Sequence, residues 1–214
     1  MDEITYTLLA DGSSDRRLIP ILTWLLREQC PEKCFQGEVA DFNKLPKKPK
    51  GLEQRIEESI KQHPCDILFI HRDAEGASYK DRVKEIRDAI NNIPDKPSAA
   101  ICVVPVRMLE AWLLFDETAI RKAADNPNSD VDLDLPILKS LENNKDPKDE
   151  LKQRLIKSSG CTTKRCLKRF ERDISEKAFK VAENIEDFSP LLKLSAFKAL
   201  EDELTDELNT MGIS

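Results

Sequence analysis

The sequence predicts a three-layer α/β fold with a mainly parallel sheet and a helical C-terminal extension. Short apolar runs alternate with longer amphipathic segments through the first half of the chain. Two of the runs, Asp66–His71 and Ala99–Val106, are almost continuously apolar, as strands buried on both faces are. Beyond about Asp116 the strand signals stop and helical periodicity takes over. A chain of 214 residues with a hydrophobic fraction of 40% buries one substantial core. That core is expected over residues 1–125, with 126–214 packed on it as the extension.

Ile4–Ala10 reads as the first strand, rich in β-branched and aromatic residues. A helix follows Ser13-Ser14, sets Leu18, Ile21, Leu22, Leu25 and Leu26 on one face, and ends at Cys30-Pro31. Pro20 predicts a kink near its start. Phe35–Phe42 carries a weaker strand pattern, and Lys44–Gly51 is a basic loop with too much proline for regular structure. Leu52–His63 is a predicted helix with Ile56 and Ile60 at i, i+4. Then come the buried strand Asp66–His71, a helix over Tyr79–Ile93 closed by Pro94 and Pro97, and the strand Ala99–Val106. Met108–Phe115 is expected to open a helix, and Asn126–Asp130 has the turn chemistry of a linker. The rest is predicted helical, ending in an amphipathic stretch over Leu191–Leu208.

Charged residues make up 35% of the chain, 34 Lys+Arg against 40 Asp+Glu, a mixture that excludes a disordered acidic tail. The longest apolar run, Ala99–Val106, falls far short of the roughly 18–20 residues that span a bilayer. Met1-Asp2-Glu3 is acidic where a secretory leader is basic, so a soluble, cytoplasmic protein is expected. Cys65 and Cys102 lie in or beside apolar runs and read as small buried hydrophobes. Cys30, Cys34, Cys161 and Cys166 fall within loose limits of zinc-ligand spacing, but the two pairs are far apart in sequence and free thiols are expected. Between Lys145 and Lys180 basic residues outnumber acids although the net charge is −6. Such asymmetry fits either an anionic partner or a solvated helix face.

The glycines exclude a P-loop and a dinucleotide fingerprint, and no G-x-S-x-G is present. His63 and His71 form no H-E-x-x-H pair. What remains is carboxylate chemistry at the carboxyl ends of the predicted strands, where open parallel sheets bind ligands. The first strand runs into Asp11-Gly12-Ser13-Ser14-Asp15, the strand from Asp66 into Asp73-Ala74-Glu75-Gly76, and the strand from Ala99 into Arg107-Met108-Leu109-Glu110. Acids converging on one edge repel one another unless a divalent cation with hard oxygen ligands joins them, which points to Mg2+ or Mn2+. The metal set is Asp11, Asp15, Asp73, Glu75 and Glu110, with Asp11, Asp73 and Glu75 as catalytic candidates. Arg16, Arg72 and Arg107 are phosphate-binding candidates.

Each choice has a plainer counterpart. Asp11 and Asp15 also suit a turn and a helix start, and Asp73 and Glu75 suit an exposed loop. Glu110 either pairs with Arg107 or turns into the site, and Arg72 and Arg107 either hold phosphate or neutralise acids. Arg16 and Arg17 also read as a solvated pair, His71 as a packed histidine, and Trp24 and Trp112 as core. The loop Lys44–Lys50 either tracks a nucleic-acid backbone or is merely solvated.

These motifs resemble the TOPRIM fold family of topoisomerases, primases and nucleases, whose acid after the first strand and D-x-D after a later strand bind metal and act on phosphodiesters. More closely, Ala10–Asp15, His71–Gly76, Val106–Asp116, Ser189–Leu191 and Ser195–Phe197 resemble an uncharacterised TOPRIM-like family encoded beside ABC-type, OLD-like ATPases in prokaryotic anti-phage loci. The resemblance runs from about Thr5 to Leu204, with Glu110-Ala111-Trp112-Leu113-Leu114 its most specific stretch. It implies a metal-dependent nuclease acting on DNA or RNA with an ATPase partner, or a non-catalytic adaptor that binds the ATPase or nucleic acid. Two departures matter: Asp11 stands where the family usually has Glu, and Glu75 where the D-x-D pair has its second Asp. Both keep the charge and change its reach.

Overall fold

The structure is a computed structural model that describes residues 3–43 and 45–213, the Ser13 side chain excepted. Lys44, where the predicted basic loop begins, lies outside the described residues. In chain order the elements are β1 (Glu3–Leu9), α1 (Leu18–Gln29), β2 (Cys34–Val39), α2 (Gly51–Gln62), β3 (Ile67–His71), α3 (Tyr79–Asn92), β4 (Ala100–Val103), α4 (Glu117–Ala123), α5 (Pro147–Ser159), α6 (Lys164–Arg172), α7 (Ile174–Asn184) and α8 (Ser195–Met211). Short 3-10 turns cover Ser13–Arg17, Leu109–Leu113, Leu138–Asn143 and Ser189–Lys193. Among the described residues, no helix is long and apolar enough to cross a membrane.

The chain forms two compact units, Met1–Val106 with Ser195–Ser214, and Arg107–Leu194. The boundary expected near residue 125 therefore falls inside the second unit, and α8, read as part of the extension, belongs to the first. Sequence periodicity marks helices but not which unit a helix joins.

The first unit is an α/β fold on a four-stranded, all-parallel sheet of order β2-β1-β3-β4. Register follows from side-chain alternation. Tyr6 and Leu8 of β1 stand beside Ile67 and Phe69 of β3 on one face, where the Tyr6 hydroxyl meets α1, donating to Ile19 O at 3.1 Å and sharing a hydrogen with Thr23 Oγ1 at 2.5 Å. Burial pushes that phenol up to about 12. On the other face Leu9, Leu68, Ile70, Ala100 and Cys102 pack with Leu52 and Ile56 of α2 and Ile86, Ala89 and Ile90 of α3. Helices thus cover both faces of the sheet.

Three local expectations change. Pro20 lies in the first turn of α1, where its missing N–H breaks no hydrogen bond, and the chain enters through a 3-10 turn. The segment expected to open a helix at Met108 is a 3-10 turn over Leu109–Leu113, with Trp112 buried as core. Cys161 and Cys166 form a disulfide rather than two free thiols, because their five-residue spacing at the start of α6 brings the Cα atoms to 5.5 Å, within bridging range. Cys102 behaves as the buried hydrophobe expected, its thiol pushed by burial up to about 12, and Cys65 is half-buried.

The outer edge of β4 is closed by side chains. Cys102 N–H donates to Glu203 Oε1 of α8 at 2.7 Å, and Arg87 of α3 binds both Ala100 O at 3.0 Å and Glu203 at 2.5 Å. Burial raises the Glu203 carboxyl above its ordinary 4.5, against lowering by the Cys102 N–H and Arg87. The native state therefore holds this proton more tightly than the unfolded chain does. Its contribution to stability is full below the unfolded value and is lost as pH rises through the folded one. Glu203→Gln keeps an acceptor for Cys102 N–H but does not titrate. Urea midpoints at pH 4 and pH 7 should show the wild type losing stability relative to this variant as pH rises, and a gap that does not change with pH would refute the assignment.

Candidate metal and phosphate site

The strand order places a topological switch point between β1 and β3. From β1 the chain passes through Asp11–Arg17 into α1 on one face, and from β3 through Arg72–Ser78 into α3 on the other. The two loops diverge at the carboxyl ends of adjacent strands and leave a crevice, the usual ligand position in open α/β sheets.

His71, the last residue of β3, is buried at the floor of this crevice. Its Nδ1 lies 3.0 Å from Val103 O, and since a carbonyl only accepts, Nδ1 carries the hydrogen. Nε2 therefore faces the crevice, 3.6 Å from Asp73 Oδ1 and 3.9 Å from Asp15 Oδ2. Asp15 is held in place by its own turn: Oδ2 accepts from Gly12 N–H at 2.9 Å and Oδ1 from the Ser14 hydroxyl at 3.0 Å. It is at once a capping residue and a group aimed at His71. Asp73 is set by the tight turn behind it, where Ala74 N–H donates to Pro105 O and Ala77 N–H to Ala74 O.

Asp11 is the centre of a second cluster. Arg55 of α2 donates to Asp11 Oδ1 at 2.5 Å and also to Ala10 O. Arg72 Nε lies 3.4 Å from Asp11 Oδ2, while its Nη2 lies 3.0 Å from Glu85 of α3, which Arg82 also binds at 2.7 Å. Arg72 thus neutralises acids in this arrangement, and the charges alternate along the edge. Arg16 is exposed on the turn before α1. Glu75 is exposed at the loop tip with φ 51°, a left-handed backbone that costs a non-glycine residue about 1–3 kcal/mol. The Arg82 guanidinium, raised chiefly by Glu85, also responds to Glu75 and Asp11.

The structure thus brings Asp15 and Asp73 together on His71, with Asp11 and Arg72 paired beside them. Glu110 and Arg107 belong to the second unit, where Glu110 is buried in the 3-10 turn. In that unit α6 exposes Lys164, Arg165, Lys168, Arg169 and Arg172 to solvent.

Sequence reasoning missed Arg55, Arg82 and Glu85. A signal existed: all three lie in the early turns of crossover helices, which in a parallel sheet start at the carboxyl edge. It set packing and catalysis against each other for His71, whereas the imidazole is packed by one nitrogen and presents the other to Asp15 and Asp73. Among the described residues, no three His, Cys, Asp or Glu side chains are already closed into a metal cage. The His71–Asp73 and His71–Asp15 separations exceed the roughly 3 Å between neighbouring donors in a filled shell of bonds near 2.1 Å. The donor set, one imidazole nitrogen and two carboxylates, suits a divalent ion of mixed nitrogen and oxygen preference. Compared with known proteins, the chain matches no family model, no curated protein and no solved structure.

Proposed function

We propose that the chain is a metal-dependent, TOPRIM-like nuclease that cleaves phosphodiester bonds of DNA or RNA at the crevice between β1 and β3. The convergence of His71 Nε2, Asp15 and Asp73 carries this reading. The carboxylates of Asp15 and Asp73 approach the same imidazole nitrogen, and a cation between them would remove the repulsion of two acids at one edge. Asp15, Asp73 and His71 would hold Mg2+ or Mn2+, the imidazole favouring Mn2+. A bound ion would supply charge stabilisation at the phosphate and a nucleophile at neutral pH. Arg16 would orient phosphate oxygens, with Arg72 joining it on exchanging Asp11 or Glu85 for the substrate, and guanidinium forks suit that task. Asp11, its Oδ1 held by Arg55 and its Oδ2 3.4 Å from Arg72 Nε, would accept a proton from the attacking water. Glu75, at the loop tip, would hold a second ion. The exposed basic face of α6 supports a long polyanionic substrate.

In this reading the protein is the cutting component of a prokaryotic anti-phage system working with an ABC-type ATPase. The pairing of Asp11 with two guanidiniums supports a second reading, a non-catalytic adaptor for that ATPase or for nucleic acid. Incubation with labelled single- and double-stranded DNA and RNA separates the two. The nuclease should cut in Mn2+ or Mg2+ and stop in EDTA. Binding without cutting in every metal, with the ATPase partner present, would leave the adaptor.

A further inference from the structure

Beside Asp11, on the β2 side of the first unit, lies a cleft of about 520 Å³ lined by the ends of β1 and β2 and by the loop entering α2. Its volume is in the range of small-ligand pockets, roughly 300–1,000 Å³. Its chemistry is mixed in a specific way. Arg16 and Lys48 bring positive charge, and Lys48 donates to the neutral Asn43 Oδ1 at 2.7 Å rather than to a carboxylate. Arg55 is already matched by Asp11. Phe42, partly buried against the core, and the exposed acid Asp41 also line it.

This lining is pre-set. His63 Nε2 accepts the Asp41 N–H at 3.2 Å, so its hydrogen is on Nδ1, which donates to Glu38 Oε1 at 3.1 Å. The same imidazole meets the Phe42 ring edge-on, with centroids 6.4 Å apart. Asp41 Oδ1 also accepts the Asn43 N–H at 2.9 Å. Phe42, Asp41 and Lys48 are thereby held at one strand edge, and Arg16 lines the same cleft from the turn before α1.

We propose that this cleft binds one nucleoside 5′-phosphate unit, the base against Phe42 with its exocyclic amine on Asp41 and the phosphate on Lys48 and Arg16. Stacking on an aromatic ring tolerates any base, because every base has a π-face. The carboxylate adds preference for bases that carry an amine. The inference rests on the nuclease reading in making the unit the end of a strand whose scissile phosphate lies at the neighbouring crevice. A free nucleotide has the same chemistry.

The test is calorimetric titration of the protein in EDTA, where binding is read whether or not the protein cuts. The probes are AMP, adenosine, inorganic phosphate, a 5′-phosphorylated single-stranded DNA tetramer and a blunt duplex. AMP or the tetramer should bind at least tenfold more tightly than adenosine or phosphate. A tighter tetramer identifies the strand end as the ligand, and an equal or tighter AMP the free nucleotide. Lys48→Glu, an exposed change that spares the fold, should weaken the better probe about tenfold, and Phe42→Ala should reduce its margin over phosphate. No binding of AMP or tetramer at millimolar concentration, equal binding of the duplex, or binding unchanged in Lys48→Glu would overturn the site. Cleavage without such binding would overturn the cleft alone, and binding without cleavage the nuclease reading alone.

Discussion

His71→Asn protein should fold as the wild type does and lose cleavage by about a hundredfold or more. The asparagine amide occupies roughly the position of the imidazole Nδ1–H and can still donate to Val103 O, so the buried carbonyl keeps a partner. Nothing then stands where Nε2 faced Asp15 and Asp73. Loss of one donor or its orienting partner in a metal site typically costs 10–100-fold in affinity or activity, and displacement of the reacting groups multiplies the loss. His71→Gln is the converse variant, with an amide near Nε2 and the Val103 bond removed, so it should lose more stability than activity. Asp73→Ala should match His71→Asn in activity. The measurements are initial rates at saturating Mn2+ and urea midpoints. Full activity in His71→Asn with an unchanged midpoint would remove the imidazole from the mechanism.

Gly37→Val should destabilise the protein by about 3 kcal/mol, near the upper end for overpacking a core. Gly37 pairs with Tyr6 across β1 and β2, and a Cβ on it would fall 2.1 Å from the Tyr6 ring. The ring cannot swing aside: it is 1% exposed, meets Phe69 edge-on at 5.5 Å, and its hydroxyl is tied to α1. For a chain of this size the loss corresponds to roughly 6–12 °C in Tm. The cause is checked by a double-mutant cycle. With Tyr6→Leu in place, Gly37→Ala should cost at least 1 kcal/mol less than it does alone. Additive effects, or a Gly37→Val shift below 1 kcal/mol, would show that the strands part easily at this pair.

What the sequence disclosed follows from the range of each interaction. Strands β1, β3 and β4 are short apolar runs bounded by Asp or Pro, and α2 and α3 are periodic, so all were legible within a few residues. The acids Asp11, Asp15 and Asp73 were legible as well, because they lie in the loops that follow strands. The Gly37–Tyr6 contact was not, since it depends on which residues pair across strands. Nor was the double role of His71, which needs Val103 on one side and two loops on the other. The 3-10 turn at Leu109–Leu113 escaped because a short buried run with i, i+3 and i, i+4 spacing fits either helix type. The return of α8 to the first unit escaped because its apolar stripe says only that it packs, not where.

That return sets an order of events during synthesis. The first unit is assembled from two stretches of chain separated by the whole of the second. Until the ribosome has made Glu203, the Ala100–Val103 edge has no α8 carboxylate on its Cys102 N–H, and Arg87 on Ala100 O is left to shield it. An unguarded, apolar parallel edge is a template for a foreign strand. A message truncated anywhere within the second unit would therefore yield a chain whose sheet is complete in strands but open at one side, prone to associate through β4.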